Sequence, residues 1–219
     1  MNLQVFIDSF FKILLPGLTV SIPLTVISFS IAMVIATITA LIQFANVKIL
    51  KDVARFYIWF IRGTPLLVQL FVVFYGLPSI GITIAALPAA IIVFSINEGA
   101  YCAETMRAAL ESIPKGQLEA GYCVGMSYVQ TIWRIVLPQA LRVAFPSLFN
   151  SLISLVKDTS LASNITVTEM MMQTRMINAK VYEALTLYLE VALIYLMFST
   201  ILTYVQRWGE KKLSTYEKH

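Results

Sequence analysis

The residues able to do chemistry are few and sit in two places. Arg62, Asn97, Glu98, Tyr101 and Glu104, and later Asn150, Ser151, Ser154 and Asp158, stand inside or at the ends of long apolar stretches. Between two such stretches runs the polar, glycine-punctuated segment 113–138, IPKGQLEAGYCVGMSYVQTIWRIVLP. A charge in a long apolar stretch is costly and calls for a partner or a function. Glu98 has no base at its depth, so it could hold an ammonium group or face a water-filled cavity. Arg62 lies about eight residues and Glu104 about six from the same-side ends of their stretches; at ~1.5 Å per residue the depths match, and the two are expected to pair. Such a pair is architectural, because each charge compensates the other. Asn150, Ser151, Ser154 and Asp158 share one helical face. That face could hydrogen-bond a zwitterion, while Asn150 and Ser154 could equally join helices. Glu98, Tyr101, Asn150, Ser154 and Asp158 are the candidate solute-binding residues. The chain has no GxxxxGK[ST] loop, and its single histidine is the terminal residue. Neither a nucleotide site nor a metal or triad constellation is therefore expected, and the chain is not read as an enzyme by itself.

The elements that must position these residues are membrane spans. At 58% hydrophobic and 13% charged over 219 residues, the chain is too apolar for an ordinary soluble domain. The apolar stretches run near ~20 residues without alternation, which selects helices over a barrel. The reading is an all-α polytopic protein of one domain, 1–219, with spans at about 14–43, 54–77, 84–110, 139–156 and 184–204. Residues 1–11 are expected as an amphipathic lead-in on one membrane surface, without the marks of a cleaved signal. Arg62-Gly63-Thr64-Pro65 should kink the second span, and 161–182 is too polar to cross. The Met170–Met172 run could meet another protein or fill space, and Lys157-Asp158 could be an outer gate or a membrane-edge pair. Cys102 and Cys123 are read as free. Lys48, Lys51, Arg55, Arg107, Lys115, Arg134, Arg142, Arg207, Lys211, Lys212 and Lys218 fall on one side, which the positive-inside rule makes cytoplasmic. The N-terminus is then outside, the C-terminus inside, and 113–138 a cytoplasmic loop. Within that loop the pattern gives two short helices: one from Lys115 to Val124, broken by Gly125, and one from Tyr128 to Val136, capped by Ser127, before Pro138 opens the fourth span.

Glu119-Ala120-Gly121, Gly125, Ile135 and Leu137-Pro138 have the spacing of the EAA loop, and the chain resembles the binding-protein-dependent ABC importer permeases. RGTPLLVQL from Arg62, Gly99-Ala100-Tyr101 with Glu104 and Arg107, SIPKGQ from Ser112, and SLVKDTSL from Ser154 are similar to the polar amino-acid branch, most of all to cystine-type permeases. The resemblance implies a type I importer permease fold in a prokaryotic cell membrane. It also implies a homodimer, or a heterodimer with a second permease, cytoplasmic ATPase subunits that bind the ATP, and an extracytoplasmic binding protein. Glu119 would make the charged contact with the ATPase, Ala120 and Gly121 would allow close approach, and Gly125 would make the turn. No cofactor of its own and no nucleic acid are implied. The solute would be L-cystine or another polar amino acid. An ion-coupled secondary amino-acid transporter is the alternative, against which five spans and no visible repeat count.

Overall fold

The computed structural model describes residues 2–214, and these are almost wholly helical. Helix α1 runs without interruption over Leu3–Phe44. Ser28, Ala32, Ala36 and Ala40, four residues apart, form its buried stripe, and small side chains let it lie close against α4, Ala86–Ser112. Gly99 of α4 is part of that approach, since a Cβ there would sit 3.0 Å from Ile35 Cγ2 and from the Tyr57 hydroxyl. The opposite face of α1, with Val26, Val34 and Ile38 exposed, suits hydrocarbon.

Helix α2, Lys48–Arg62, and helix α3, Leu66–Ile80, meet at a 99° bend. Together they travel from one end of the bundle to the other. Lys51 and Arg55 share a polar cavity with Gln43 at the end of α1 and with Arg107 and Glu111 near the end of α4. At the far end, the Tyr75 hydroxyl donates to the Asn164 carbonyl at 3.0 Å. The bent pair therefore acts as one broken span, and with α1, α4, α6 (Tyr128–Ile165) and α8 (Ala184–Ser214) it makes five. Short helix α5, Gly116–Cys123, precedes α6, and α7, Met170–Val181, lies between the last two spans. Buried residues gather in three clusters: around Ala103, Met106 and Leu110 at one end of α4, around Phe94 and Leu155 at the other, and around Ile13, Met170 and Leu187 where α1, α7 and α8 meet.

Two expectations change, and the expected kink is met. Residues from Leu3 onward do not lie apart on a surface: they belong to α1, where Ser9 and Ile13 are buried and the Ser9 hydroxyl lies 2.6 Å from Glu190 of α8. The kink at Arg62–Pro65 is a near right angle. Pro138 does not open a new helix, because α6 passes through it from Tyr128. The reason recurs along the chain. Wide π-helical turns occupy Gly17–Ser21, Val72–Gly76 and Ile132–Val136, closed by N–H donations from Ile22 to Gly17, Leu77 to Val72 and Leu137 to Ile132. The next residue is proline in each case: Pro23, Pro78 and Pro138. A proline ring collides with the carbonyl four residues back and brings no N–H; a wide turn moves that carbonyl aside. At the chain end, Arg207, Lys211 and Lys212 continue α8 rather than forming a separate tail. Lys218 and His219 lie outside the described residues.

Candidate functional site: a cavity between α4 and α6

Glu98, Tyr101, Asn150, Ser154 and Asp158 all line one cavity of about 440 Å³, together with Leu66, Asn97, Ser147, Ser151 and Leu161. Helix α4 supplies Asn97, Glu98 and Tyr101, and α6 supplies the polar face Ser147, Asn150, Ser151, Ser154 and Asp158. The lining carries two carboxyls and, among the described residues, no lysine or arginine. Glu98 is 7% exposed and accepts from the Cys102 thiol at 3.4 Å. Such a cavity presents acceptors to a small polar solute and favours a positive group on it.

The bend between α2 and α3 holds one wall in place. Pro65 has no N–H, so the Ile61 carbonyl four residues back loses its helical donor. The Gln69 side-chain amide takes that role at 2.8 Å and also reaches the Thr64 hydroxyl at 2.8 Å. Its carbonyl oxygen, in turn, accepts from Asn97 Nδ2 at 3.0 Å. One glutamine thus closes the break and anchors the residue next to Glu98. Asn97 was noted in the sequence only as a polar residue in a span; its four-residue spacing to Tyr101 was the signal that would have added it to the site. Ser147, three residues before Asn150, carried a similar one.

The segment 113–138 folds as α5 followed by the start of α6. Gly125 makes the turn with φ +76°, open to any residue sterically but favourable only to glycine in backbone terms. Ser127 and Gln130 form a reciprocal cap: the Gln130 N–H donates to Ser127 Oγ at 3.3 Å, and the Ser127 N–H to Gln130 Oε1 at 2.9 Å. Glu119 and Ala120 are exposed on α5. Gly121 instead faces inward, and a Cβ there would lie 2.5 Å from Thr131 Cγ2 and 2.6 Å from its Oγ1. The close approach that Gly121 permits is to Thr131 at the start of α6.

Residues 32–215 match the family described as the binding-protein-dependent transport system inner membrane component. The chain belongs to that family. The L-cystine transport system permease protein TcyB of Bacillus subtilis (strain 168) is 46% identical, the match covering 95% of this chain and 90% of TcyB. The probable amino-acid ABC transporter permease protein YckA of the same organism is 38% identical over 98% and 95% of the two chains. In three dimensions the permease superimposes on a chain from the crystal structure of an amino acid ABC transporter with histidines, with TM-score 0.86 and 30% identity, covering 94% of this chain and 96% of the other. Nothing in these likenesses favours the ion-coupled alternative.

One expectation for the permease fails on geometry. Arg62 and Glu104 make no direct ion pair, although the Arg62 charge still acts on Glu104. Glu104 pairs with Arg107 one turn along its own helix, Arg107 also holds Glu111 at 2.5 Å, and the Arg62 guanidinium stacks over the Tyr101 ring at 5.1 Å. Matched depth put the two residues at one level, but partners on the same helix face were nearer. Glu169, which carried no assignment, is fully buried at the start of α7. It accepts from the Met172 N–H at 2.8 Å and from the Tyr195 hydroxyl of α8 at 2.9 Å. Burial pushes its carboxyl up from the ordinary range, and the donating N–H groups, Tyr195 and the Arg175 charge pull only partly back.

Proposed function

We propose that the permease admits a polar amino acid, L-cystine or a close relative, through the α4–α6 cavity, driven by an ATPase that grips α5. The observation that carries this is a single helix. α6 begins at the Ser127 cap against Gly121 and continues through Pro138 to the cavity residues Ser147–Asp158. From Thr131 to Asn150 the rise is ~28 Å at ~1.5 Å per residue. A force applied to α5 therefore has a continuous path to the cavity wall. Glu119 and Ala120, exposed on α5, are the contact for a cleft in the ATPase, while Gly121 and Gly125 pass the movement inward.

The segregation of lysine and arginine supports the N-terminus outside and the C-terminus in the cytoplasm, with α5 on the ATP side and the Lys157-Asp158 end facing a binding protein. Two such permeases, identical or sister chains, enclose the path. ATP-driven closure favours the outward-open arrangement and hydrolysis resets it, a shift between two packings. Cystine is the favoured solute because a relative of 46% identity is named for it and because the two cavity carboxyls suit its ammonium groups. The test is uptake of labelled cystine into vesicles holding the purified complex, with ATP inside and the binding protein outside. Accumulation that needs both supports the reading; accumulation that persists without ATP contradicts it. Glu119→Lys is expected to keep the permease in the membrane while uptake and solute-stimulated ATP hydrolysis part company.

A further inference from the structure

Arg62 is a charge without a counter-charge beside the solute cavity. It is the last residue of α2, at the apex of the 99° bend, and its side chain is exposed. Among the described residues it makes no hydrogen bond and no ion pair; Glu104, which its charge reaches, is held by Arg107. Its one close partner is the Tyr101 ring, whose centre lies 5.1 Å from the guanidinium carbon. A guanidinium over an aromatic face keeps its forked N–H edge free for a carboxylate. Tyr101 lines the cavity, and so does Leu66, the first residue of α3, four positions beyond Arg62 across the bend. Arg62 is thus tied to the rim twice, through the chain to Leu66 and through the ring to Tyr101.

The cavity lacks what Arg62 has. Among the described residues its lining holds Glu98 and Asp158 and no base, which answers an ammonium group and leaves a carboxylate unmet. A charge kept inside a span is costly and characteristically faces a polar path. Resting on the reading that the cavity takes an amino acid, we infer that Arg62 binds the solute's carboxylate and so selects amino acids against amines of the same length. The charges are ordered to suit this. Along α4, Glu98 precedes Tyr101 and Glu104 follows it, and Arg62 stands by the latter two; Asp158 closes α6 at its end remote from α5. Acids therefore occupy one part of the cavity and the base its α5-side rim, and a zwitterion lying along it meets both.

The test compares two disulfides of nearly the same shape: L-cystine, and cystamine, which carries both ammonium groups and lacks both carboxylates. Binding of each to the solubilised permease–ATPase complex is measured by calorimetry without the binding protein, so that the permease alone discriminates. Two acids and no base would by themselves favour the doubly positive cystamine; with Arg62 on the carboxylate, cystine binds the tighter. R62Q should weaken cystine roughly tenfold or more, the size of losing a charge-assisted hydrogen bond, and leave cystamine where it was. Cystamine bound by the unaltered complex as tightly as cystine, or more so, means an arginine turned to the membrane surface and overturns the inference with no variant needed. A cystine preference that R62Q leaves intact, or a loss that falls equally on both compounds, overturns it as well. If the unaltered complex binds neither, the amino-acid reading of the cavity falls and this inference with it, so the two failures are told apart.

Discussion

The Gln69 side-chain amide stands in for the N–H that Pro65 lacks, donating to the Ile61 carbonyl at 2.8 Å. The same amide holds Asn97 through its oxygen, so the backbone break and the cavity wall are one structure. The Thr64 hydroxyl also donates to the Ile61 carbonyl, at 3.4 Å, so what is lost with the Gln69 amide is the hydrogen bonds to Ile61 and Asn97, each worth ~1 kcal/mol net. Gln69→Leu should therefore destabilise the permease by about 2 kcal/mol and lower transport. In a Pro65→Ala background, where an N–H returns at position 65, the same change should cost less. Thermal unfolding of the four proteins in detergent gives the coupling; strict additivity would contradict the link.

Gly121 and Thr131 are matched in the same way. Gly121→Ala places a methyl 2.5 Å from Thr131 Cγ2, and crowding of this kind costs roughly 1–3 kcal/mol. The expected phenotype is a weakened connection between ATP hydrolysis and uptake, with the membrane domain still assembled. Thr131→Ala, which removes both crowding atoms, should recover part of it. Uptake per ATP hydrolysed is the measurement.

Removing one cavity charge tests the solute site. Glu98→Gln should raise the solute concentration needed for half-maximal uptake roughly tenfold, since a hydrogen bond to a charged group is worth ~1.5–3 kcal/mol. Asp158→Asn should act in the same direction. If assembly fails while the affinity of the surviving complexes is unchanged, Glu98 is architectural instead.

The Glu169 carboxyl is raised in the folded chain, and the sign of its contribution follows. Stability from a raised group is complete below its unfolded value and is lost as pH rises through its folded value. Between about pH 7.5 and about pH 5 the unmodified permease should gain stability relative to Glu169→Gln, by a few degrees or less, as the carboxyl takes up its proton. Arg175 and Tyr195 are the charged and titratable side chains that face it. Unfolding midpoints of the pair across pH decide the matter, and a constant gap would refute it.

Where the sequence was informative, periodicity and cost were the reasons. Spacing of four and eight residues put Asn150, Ser154 and Asp158 on one face, and scarcity of charge in apolar stretches singled out Glu98; the structure brings these into one cavity with Tyr101. The first short helix, the Gly125 turn and the Ser127 cap were legible because capping and left-handed backbone have strong local preferences. The Arg62–Glu104 pairing was not, because depth along two helices says nothing of rotation about their axes. Residues 3–11 misled for a related reason: a helix with one apolar face looks alike whether lipid or α8 covers it. Pro138 suggested a boundary because proline usually makes one, and no local pattern announced the wide turn before it.

That wide turn sets more than the path of α6. A turn closed over five residues instead of four holds one residue more, so everything beyond it is rotated by about 100° relative to an uninterrupted helix. Thr131 lies before Ile132–Val136, and Ser147, Asn150, Ser154 and Asp158 lie after it. The angle between the face that meets Gly121 and the face that meets the solute is thus fixed by a single added residue. Deleting one residue from 132–136 would turn the wide turn into an ordinary one and leave the cavity side chains aimed as they are, whereas straightening the turn at constant length would swing them by about 100°.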